Sequence, residues 1–515
     1  MFISSDKIYR FRHLFFTAKD LSAAFFLIVL MSISCTGRKG GIPVAEDISD
    51  CVVIPRTRNP VDTVLIGLPD PMNLKAAPFY RTLSERIVFS HLYETLITID
   101  CSGKVRGVLA VSWKSMDGGK IWRFKLKRGI TFVDGSRVKA EDIASSWSRP
   151  SMERFLDTAM IDSVTSTGDR SVLMHFSQPR RMFPGFLALP PFSVVKRSER
   201  SLWPAGTGPY MLLVPGLSSM NEILDREELA RGSDIEDGEL VAVPIRDDGL
   251  PVIRFIHTEA NDGRDLLDRG VDLILTEDPD VIDYASRQDG LADIPLPWES
   301  VYLLLSTSRV NRLRWGEVSG SLSMDFCEKL ARDAVSVDSR GRRAEYWWDR
   351  AEECGDLSGI VKWPPLALKG ADSSAESLKI VYLSGQKTAR ELSERLVALI
   401  SPATDRRPIG PELEDALPGL EGKVRIMAEG ARRLEFNRRI GNGDDFAYII
   451  SLPLSSVDPC YQSRMIIGNV KWLSGLDSGL SDAILPLLET RPHIILRSGK
   501  MNLEISRSGI IRVVD

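Results

Sequence analysis

The side chains that most often catalyse reactions or bind metal ions are few in this chain, and none stands at the spacing that such chemistry needs. No HExxH pair, G-x-S-x-G elbow or Walker loop occurs. The run at 206–209 resembles a phosphate loop, but its proline lacks a backbone N–H, which favours a rigid turn. The sequence therefore predicts no metal and no cofactor, and a hydrolase triad assembled from distant residues is a remote alternative. The histidines are His13, His91, His175, His257 and His493.

The cysteines do not indicate a metal or redox site, because no two of them have C-x-x-C spacing. Cys327 and Cys354 are close enough in sequence to form a disulfide in an oxidising compartment, although small buried thiols are the favoured interpretation. If Cys35 carries a lipid, five cysteines remain, and an odd number leaves at least one free thiol. The full set is Cys35, Cys51, Cys101, Cys327, Cys354 and Cys460.

The first 35 residues are typical of a bacterial export segment. An apolar run at 21–33 is too short to span a bilayer, which needs roughly 20 residues, but suits the apolar part of a signal peptide. Ser34 and Cys35 follow it like a lipobox, except that Ser32 stands where leucine is usual. We expect lipidation at Cys35 and a location in the periplasm or on the outer face of the cell membrane. Conventional cleavage and an uncleaved anchor are the alternatives. Basic residues precede the run at Lys7, Arg10, Arg12 and Lys19.

The overall composition indicates a multidomain globular protein with no preference for nucleic acid. The chain has 515 residues, whereas a single core stops growing at roughly 250–300 residues. Hydrophobic residues make up 43% of the chain and charged residues 26%, which are ordinary values for a soluble protein. The net charge of −4 provides no field that would attract nucleic acid. Two or three domains are expected.

The hydrophobic periodicity predicts an α/β protein. Apolar residues at helical spacing predict a helix over 80–97, and strict alternation from Trp122 to Leu126 predicts a half-buried strand. Strands at 252–257 and 271–275 bracket a helix at 262–269, which is a βαβ unit and implies parallel strands. The apolar run FAYIISL at 446–452 suits a strand buried on both faces.

Several motifs occur in an order that resembles one family. These are HLYETLITID (91–100), LAVSW (109–113), DGG (117–119), WRFKLKRGITFVDGS (122–136), AEDIASSW (140–147) and GTGPY (206–210). Each motif alone is weak, but the ordered set resembles the extracytoplasmic solute-binding proteins of family 5, the peptide-binding components of ABC importers. Trp113, Trp122 and Trp147 lie within these motifs, so core packing is favoured over ligand contact for all three.

This resemblance implies an α/β periplasmic-binding-protein fold of type 2, with two lobes, a hinge and a domain inserted in the first lobe. The expected boundaries are a signal peptide at 1–35, a tether at 36–61, lobe one at 62–74, 206–306 and 491–515, the insert at 75–205, and lobe two at 307–490. It also implies a monomeric receptor, not an enzyme, that binds a peptide or small solute and delivers it to an ABC permease. A lipoprotein that kept the fold but acts as a sensor or surface interaction protein is the alternative.

The resemblance also indicates where a ligand would bind. Relatives hold the ligand's ammonium with an aspartate shortly before a DP pair, and counting back from Pro459 reaches Ser455, a candidate ligand-binding residue that is not a carboxylate. Asp458 is the nearest acid, and three interpretations stay open: Asp458 binds the ammonium, the ligand is not a free-amine peptide, or the count is shifted. Tyr302 falls where relatives place a cleft tyrosine, although a core aromatic is equally compatible. Trp298 and Tyr80 are weaker candidates.

Overall fold

The structure is a computed structural model of the whole chain, and it divides into two compact units, Met1–Pro43 and Val44–Asp515. The residues described are 52–53, 62–180, 182–197, 203–213, 238–246, 249–257, 262–305, 319–321, 324–338, 340–344, 367–369, 377–400, 425–442, 445–454, 457–474, 484–497 and 501–514. All of them belong to the second unit. The predicted export segment with Cys35 lies outside them, and no helix within them is long and apolar enough to span a membrane.

The elements alternate between strands and helices as the sequence pattern predicts. The strands are β1 (Val52–Val53), β2 (Thr63–Leu68), β3 (Ile97–Ile99), β4 (Val105–Gly107), β5 (Ala110–Met116), β6 (Ile121–Leu126), β7 (Ile161–Ser166), β8 (Ser171–Phe176), β9 (Tyr210–Leu213), β10 (Gly238–Pro244), β11 (Val252–His257), β12 (Leu273–Thr276), β13 (Leu291–Pro295), β14 (Glu299–Leu305), β15 (Ser319–Ser321), β16 (Arg342–Arg343), β17 (Ala367–Lys369), β18 (Ser377–Leu383), β19 (Arg425–Ala431), β20 (Ala447–Leu454), β21 (Ile484–Thr490), β22 (His493–Arg497), β23 (Asn502–Ile505) and β24 (Ile511–Val514). The α-helices are α1 (Leu83–Leu92), α2 (Ala140–Trp147), α3 (Pro150–Ala159), α4 (Gly263–Asp268), α5 (Pro279–Ala285), α6 (Met324–Ala334), α7 (Lys387–Ile400), α8 (Arg433–Asn442) and α9 (Pro459–Ser474). Turns of 3₁₀ helix lie at Leu74–Ala76, Asp117–Gly119, Gly185–Ala188, Pro190–Phe192 and Val335–Val337.

Lobe one is built on a sheet with the strand order β13-β22-β12-β2-β11-β10-β9. Strands β11 and β12 are both parallel to β2, which lies between them. The predicted βαβ unit therefore has parallel strands, but the two strands are not neighbours, because the N-terminal strand β2 pairs with both. Helix α4 fills the connection and is capped by Asp262, whose side chain accepts the backbone N–H of Arg264.

Helix α1 is shorter than the predicted helix over 80–97. The side chain of Thr82 accepts the N–H of Glu85 and so starts the helix at Leu83. Extended backbone at Tyr93 ends the helix after Leu92. The apolar residues beyond Leu92 continue the periodicity in sequence, but they belong to the short strand β3.

The inserted domain has a four-stranded antiparallel sheet with the order β5-β6-β8-β7, covered by α2 and α3. The alternation predicted for β6 is observed, since Trp122, Phe124 and Leu126 are buried while the basic residues between them are exposed. Trp147 is fully buried, and Trp113 packs against the same core. All three motif tryptophans are therefore core residues of this domain.

Lobe two contains a mixed sheet with the order β16-β21-β14-β20-β18-β19, in which β18 is parallel to β19 and β20. Strand β14 pairs with β20 and β21 of this sheet. The boundary predicted after residue 306 is therefore wrong: the chain leaves lobe one before Glu299. It returns through β22, which pairs with β12 and β13.

Long-range pairing adds two features. Strand β1 pairs with β23, so the segment predicted as a tether contains a short strand at Val52–Val53. Cys101 and Cys460 are each disulfide-bonded, a state that the sequence suggested only for Cys327 and Cys354. The side chains of Cys327 and Cys354 lie outside the described residues. The β1 pairing could not be assigned from local sequence, because its two strands lie near opposite ends of the chain.

His91 at the end of α1 gives lobe one a pH-dependent stability. Its Nδ1 lies 2.7 Å from the Ile87 carbonyl, and its Nε2 accepts the Val513 N–H at 3.1 Å, so the ring is held neutral. Burial lowers the pKa of His91 to about 4, and the charge of Arg512 adds to the decrease. Because the unfolded chain binds this proton at a pKa near 6.5, stability falls as the pH drops from about 6.5 to about 4.

We expect this titration to cost about 2–3 kcal/mol across that window. Urea unfolding at half-unit pH steps measures it, and the difference between the wild type and His91→Gln isolates this residue from the carboxylates. The His175→Gln variant, at a half-buried histidine of β8 in the inserted domain, is the control. Parallel profiles for the wild type and His91→Gln would show that His91 does not titrate in this way.

Candidate ligand-binding site

Polar residues follow the carboxyl ends of three neighbouring parallel strands in lobe one. Asp70 comes shortly after β2, His257 ends β11, and Glu277 directly follows β12. In the sheet register His257 lies opposite Leu68, and Ile274 lies opposite Gly67. The three side chains are therefore brought to one edge of the sheet, which is where open α/β sheets bind their ligands.

Glu277 is a carboxylate with hydroxyl donors from the strand that leads into lobe two. Ser300 Oγ donates one hydrogen bond to it, and the Tyr302 hydroxyl donates another at 3.3 Å. Burial raises the pKa of Glu277, and the negative charge of Asp70 raises it further. Burial thus disfavours the ionised carboxylate, and a positively charged group that enters the site would stabilise it.

Asp70 is held by the first turn of α1. Its Oδ2 accepts the Ser84 N–H at 3.2 Å and the Ser84 hydroxyl at 3.1 Å. Burial raises the pKa of Asp70, and the hydrogen bonds from Ser84 and the positive charge of Arg433 partly offset that rise. Since Arg433 is the first residue of α8 in lobe two, charges of opposite sign face one another across the two lobes.

Tyr302 connects the two walls of this site. Its side chain is only 2% exposed and packs in the core of lobe two. Its hydroxyl also interacts with Glu277 of lobe one and with Thr388 and Ser451 of lobe two. Tyr302 is thus a core aromatic whose hydroxyl reaches both lobes, and its contact with a ligand stays a prediction.

Trp298 and Tyr80 lie beside an arginine. The Cζ atom of Arg86 is 3.9 Å from the Trp298 ring centroid and 5.0 Å from that of Tyr80. Arg86 also donates from Nε to the Gly509 carbonyl at 3.0 Å. Trp298 is 1% exposed and belongs to the lobe-one core, whereas Tyr80 is half-buried at its edge. Trp298 therefore holds Arg86 in place. Ligand contact by Trp298 or Tyr80 stays a prediction.

Asp458 is engaged within the protein. Its Oδ2 accepts a hydrogen bond from Arg180 Nη2 of the inserted domain, and its Oδ1 accepts the Tyr461 N–H at 3.1 Å. Asp458 directly precedes α9, and the negative charge of its carboxylate interacts favourably with the positive end of the helix dipole. The candidate Ser455 lies outside the described residues.

Exposed ion pairs join the lobes at the rim of the site. Asp280 on α5 pairs with Lys387 at the start of α7, and Asp283 on α5 pairs with Arg340 of lobe two. Side chains this exposed contribute about 0–1 kcal/mol per pair. These ion pairs can stabilise the arrangement in which the two lobes lie together, but too weakly to prevent the lobes from separating.

Sequence reasoning did not single out Asp70, Glu277 or Arg433. A signal was present, since Glu277 and the pair Pro69–Asp70 directly follow apolar strands, which is where parallel sheets place ligand-contacting residues. What was missing was the strand order that brings the two carboxylates together. Within the described part of the chain, no three His, Cys, Asp or Glu side chains are grouped to hold a metal ion.

Solved structures with this arrangement of lobes are numerous. The murein tripeptide-binding protein MppA of Escherichia coli superposes with a TM-score of 0.58 at 13% identity, over 89% of this chain and all of that one. An oligopeptide-binding OppA of Haemophilus influenzae gives a TM-score of 0.56 at 11% identity, over 89% and 100%. At these identities the likeness establishes the type 2 periplasmic-binding-protein fold.

The sequence family follows from the inserted domain. The family model for bacterial extracellular solute-binding proteins, family 5, matches residues 104–214, which contain most of the ordered motifs. Over these residues the chain resembles family 5. The resemblance drawn from the motifs is thereby confirmed, and so is the fold that it implied.

Curated relatives match over about a quarter of this chain, and the aligned part spans about a quarter of their own length. The glutathione-binding protein GsiB of Escherichia coli K12 is 29% identical over 143 residues, which is 25% of this chain and 28% of that protein. The transcriptional regulator SgrR of Salmonella typhimurium is 29% identical over 134 residues, which is 25% of this chain and 24% of that protein.

Proposed function

We propose that the mature protein is the extracytoplasmic substrate-binding protein of an ABC importer. It binds a peptide or a related small solute between its two lobes and delivers it to the permease. A lipid on Cys35 holds it at the outer face of the membrane. One observation supports the proposal most directly. Asp70 and Glu277 of lobe one face three residues of lobe two, which are Tyr302, Ser451 and Arg433.

The charges at this site favour a solute that carries both signs. Glu277 and Asp70 offer negative charge at the end of the lobe-one sheet, and Arg433 offers positive charge on the opposite wall. An ammonium or guanidinium group would bind the carboxylates, and a carboxylate would bind Arg433 through charge-assisted hydrogen bonds. Peptides have this chemistry, and MppA and GsiB are named for a murein tripeptide and for glutathione.

The route of the chain supports a receptor that closes around its ligand. Strand β14 enters lobe two directly after Trp298, and β22 returns to lobe one after Thr490, so the lobes are joined by short crossovers. Hinge motion at such crossovers opens and closes the site without unfolding either sheet. The exposed pairs Asp280–Lys387 and Asp283–Arg340 form only when the lobes approach.

The proposal predicts that Glu277→Gln weakens ligand binding at least tenfold, because it removes a charge-assisted contact worth about 1.5–3 kcal/mol. The ligand-free variant should unfold at the same or a higher temperature, since burial disfavours the ionised carboxylate that the substitution removes. Native mass spectrometry of the freshly purified protein identifies the ligand, and isothermal titration then compares the variants.

Glu153→Gln is the matched control, because Glu153 is an exposed carboxylate on α3 of the inserted domain. It should bind like the wild type. Equal affinity of Glu277→Gln and the wild type would remove the carboxyl edge of lobe one from the binding site. If no peptide or co-purified solute stabilises the protein, its function as a solute receptor is refuted.

The similarity to SgrR favours a second candidate, a protein that senses a solute without transporting it. SgrR is named as a transcriptional regulator, and it is as similar to this chain as GsiB is, at 29% identity over 25% of the chain. Uptake of the labelled ligand by cells with and without the gene distinguishes the two functions. Binding in vitro together with unchanged uptake supports the sensor, and loss of uptake supports the importer.

A further inference from the structure

Arg180 and Asp458 form an ion pair between the inserted domain and lobe two. Arg180 Nη2 donates to Asp458 Oδ2, and the side chains are 14% and 5% exposed. The other carboxylate oxygen accepts the Tyr461 N–H at 3.1 Å. Both oxygens of this acid are therefore used inside the protein.

The position of Arg180 is fixed by its backbone and by neighbouring rings. Its N–H donates to the Gly119 carbonyl at 3.0 Å, and its own carbonyl accepts the Trp122 indole N–H at 3.4 Å. Its Cζ atom lies 5.0 Å from the Phe186 ring centroid and 6.0 Å from that of Phe176. The guanidinium is thus held against aromatic faces and pointed at Asp458.

A ligand ammonium could reach Asp458 only by displacing this guanidinium. The displaced charge would stay buried among phenylalanine rings without a counter-charge, which is strongly unfavourable. The protein therefore already supplies the positive charge that Asp458 requires. Among the described residues, Glu277 accepts its hydrogen bonds from the neutral hydroxyls of Ser300 and Tyr302, whereas Arg86 acts on it through its charge.

We propose that Arg180 is a specificity-determining residue that excludes a solute's ammonium group from Asp458. This inference rests on the proposed function, and it narrows the solute class. At the lobe-two end the site accepts a neutral or blocked group, such as an acylated amine, as readily as a free one. Any positively charged group of the solute is directed to Glu277 and Asp70 instead.

In the test, the purified full-length protein is incubated with a tripeptide library that has free N-termini, mixed with the same library in acetylated form. Mass spectrometry of the retained peptides gives the ratio of free to acetylated forms. We expect a ratio within threefold of unity for the wild type and for Asp458→Asn. Arg180→Met keeps the length of the stem without the charge and should raise the ratio at least tenfold. The double variant Arg180→Met/Asp458→Asn should lose that gain.

A wild-type preference of tenfold or more for free amines, abolished in Asp458→Asn, would overturn the inference. Unfolding of the four proteins tests the ion pair without any ligand: the double variant should be no less stable than Arg180→Met alone. Additive losses would mean that the pair does not form, which also overturns the inference. Absence of binding by every peptide refutes the proposed function instead, and the unfolding comparison still tests the pair.

Discussion

Replacing Tyr461 by alanine should destabilise the protein by about 3–5 kcal/mol, the usual cost of deleting a large buried aromatic side chain. Tyr461 is fully buried, yet it belongs to α9 of lobe two and packs in the core of the inserted domain. Its ring stacks on Phe186 with centroids 4.9 Å apart and an interplanar angle of 22°, and it lies 5.9 Å from the Phe192 centroid. Its loss would leave a cavity at the junction of two domains.

Urea unfolding measures this loss, and Tyr461→Phe is the matched control. Among the described residues the Tyr461 hydroxyl is buried without a hydrogen-bond partner, so phenylalanine should keep the stability or raise it. A loss as large for phenylalanine as for alanine would show that the hydroxyl, rather than the ring, stabilises the junction. A loss below about 1 kcal/mol for alanine would mean that the ring is not packed as described.

This contact bears on how the receptor opens. Separation of α9 from the inserted domain would expose the Tyr461 ring and break the Arg180–Asp458 pair together. The cost of exposing such a ring is several times that of the rim pairs Asp280–Lys387 and Asp283–Arg340. We therefore expect the inserted domain and the start of α9 to move as one body when the rim opens.

Gly206→Ala should destabilise the protein by roughly 4 kcal/mol, above the usual 1–3 kcal/mol of overpacking. A Cβ atom at Gly206 would lie 2.0 Å from the Leu92 carbonyl oxygen and 2.6 Å from Tyr93 Cδ1. One at Gly208 would lie 2.5 Å from the His91 carbonyl oxygen. Backbone atoms cannot rotate away as side chains do, so the turn would have to separate from the end of α1.

Thermal or urea unfolding checks this prediction, with Gly135→Ala as the control. Gly135 has a φ of +81° and nothing within 4 Å of its Cβ position, so alanine there costs only the left-handed backbone, about 1–2 kcal/mol. Losses of equal size at the two positions would mean that close approach is not the reason for glycine at 206. The GTGPY motif would then be a simple turn.

The GTGPY motif illustrates how much local sequence can reveal. The prolyl ring and the glycines predict a rigid turn, and a rigid turn is what the chain forms before β9. The reason for glycine at Gly206 and Gly208 is not local, because it is the backbone of α1, more than a hundred residues earlier, that leaves no room for a side chain. The motif was recognisable from the sequence, but its cause was not.

The sequence by itself determined the α/β class, the resemblance to family 5 and the inserted-domain core, because these depend on patterns within a few residues. The alternation of Trp122, Phe124 and Leu126 follows from the two faces of a strand, whatever the strand pairs with. The ordered motifs from His91 to Trp147 lie in one continuous segment, so their resemblance survives divergence elsewhere. The same is true of the apolar run that became β20.

Only the tertiary structure decided which polar residues meet at the site. The insertion of β2 between β11 and β12 brings Asp70 to Glu277, and the crossing of β14 brings Tyr302 to both lobes. Arg180 and Asp458 are 278 residues apart, and nothing in either local sequence indicates the other. Ion pairs and strand order depend on long-range packing rather than on local periodicity, so the sequence could offer Asp458 as one candidate for a ligand's ammonium but could not indicate its pairing with Arg180.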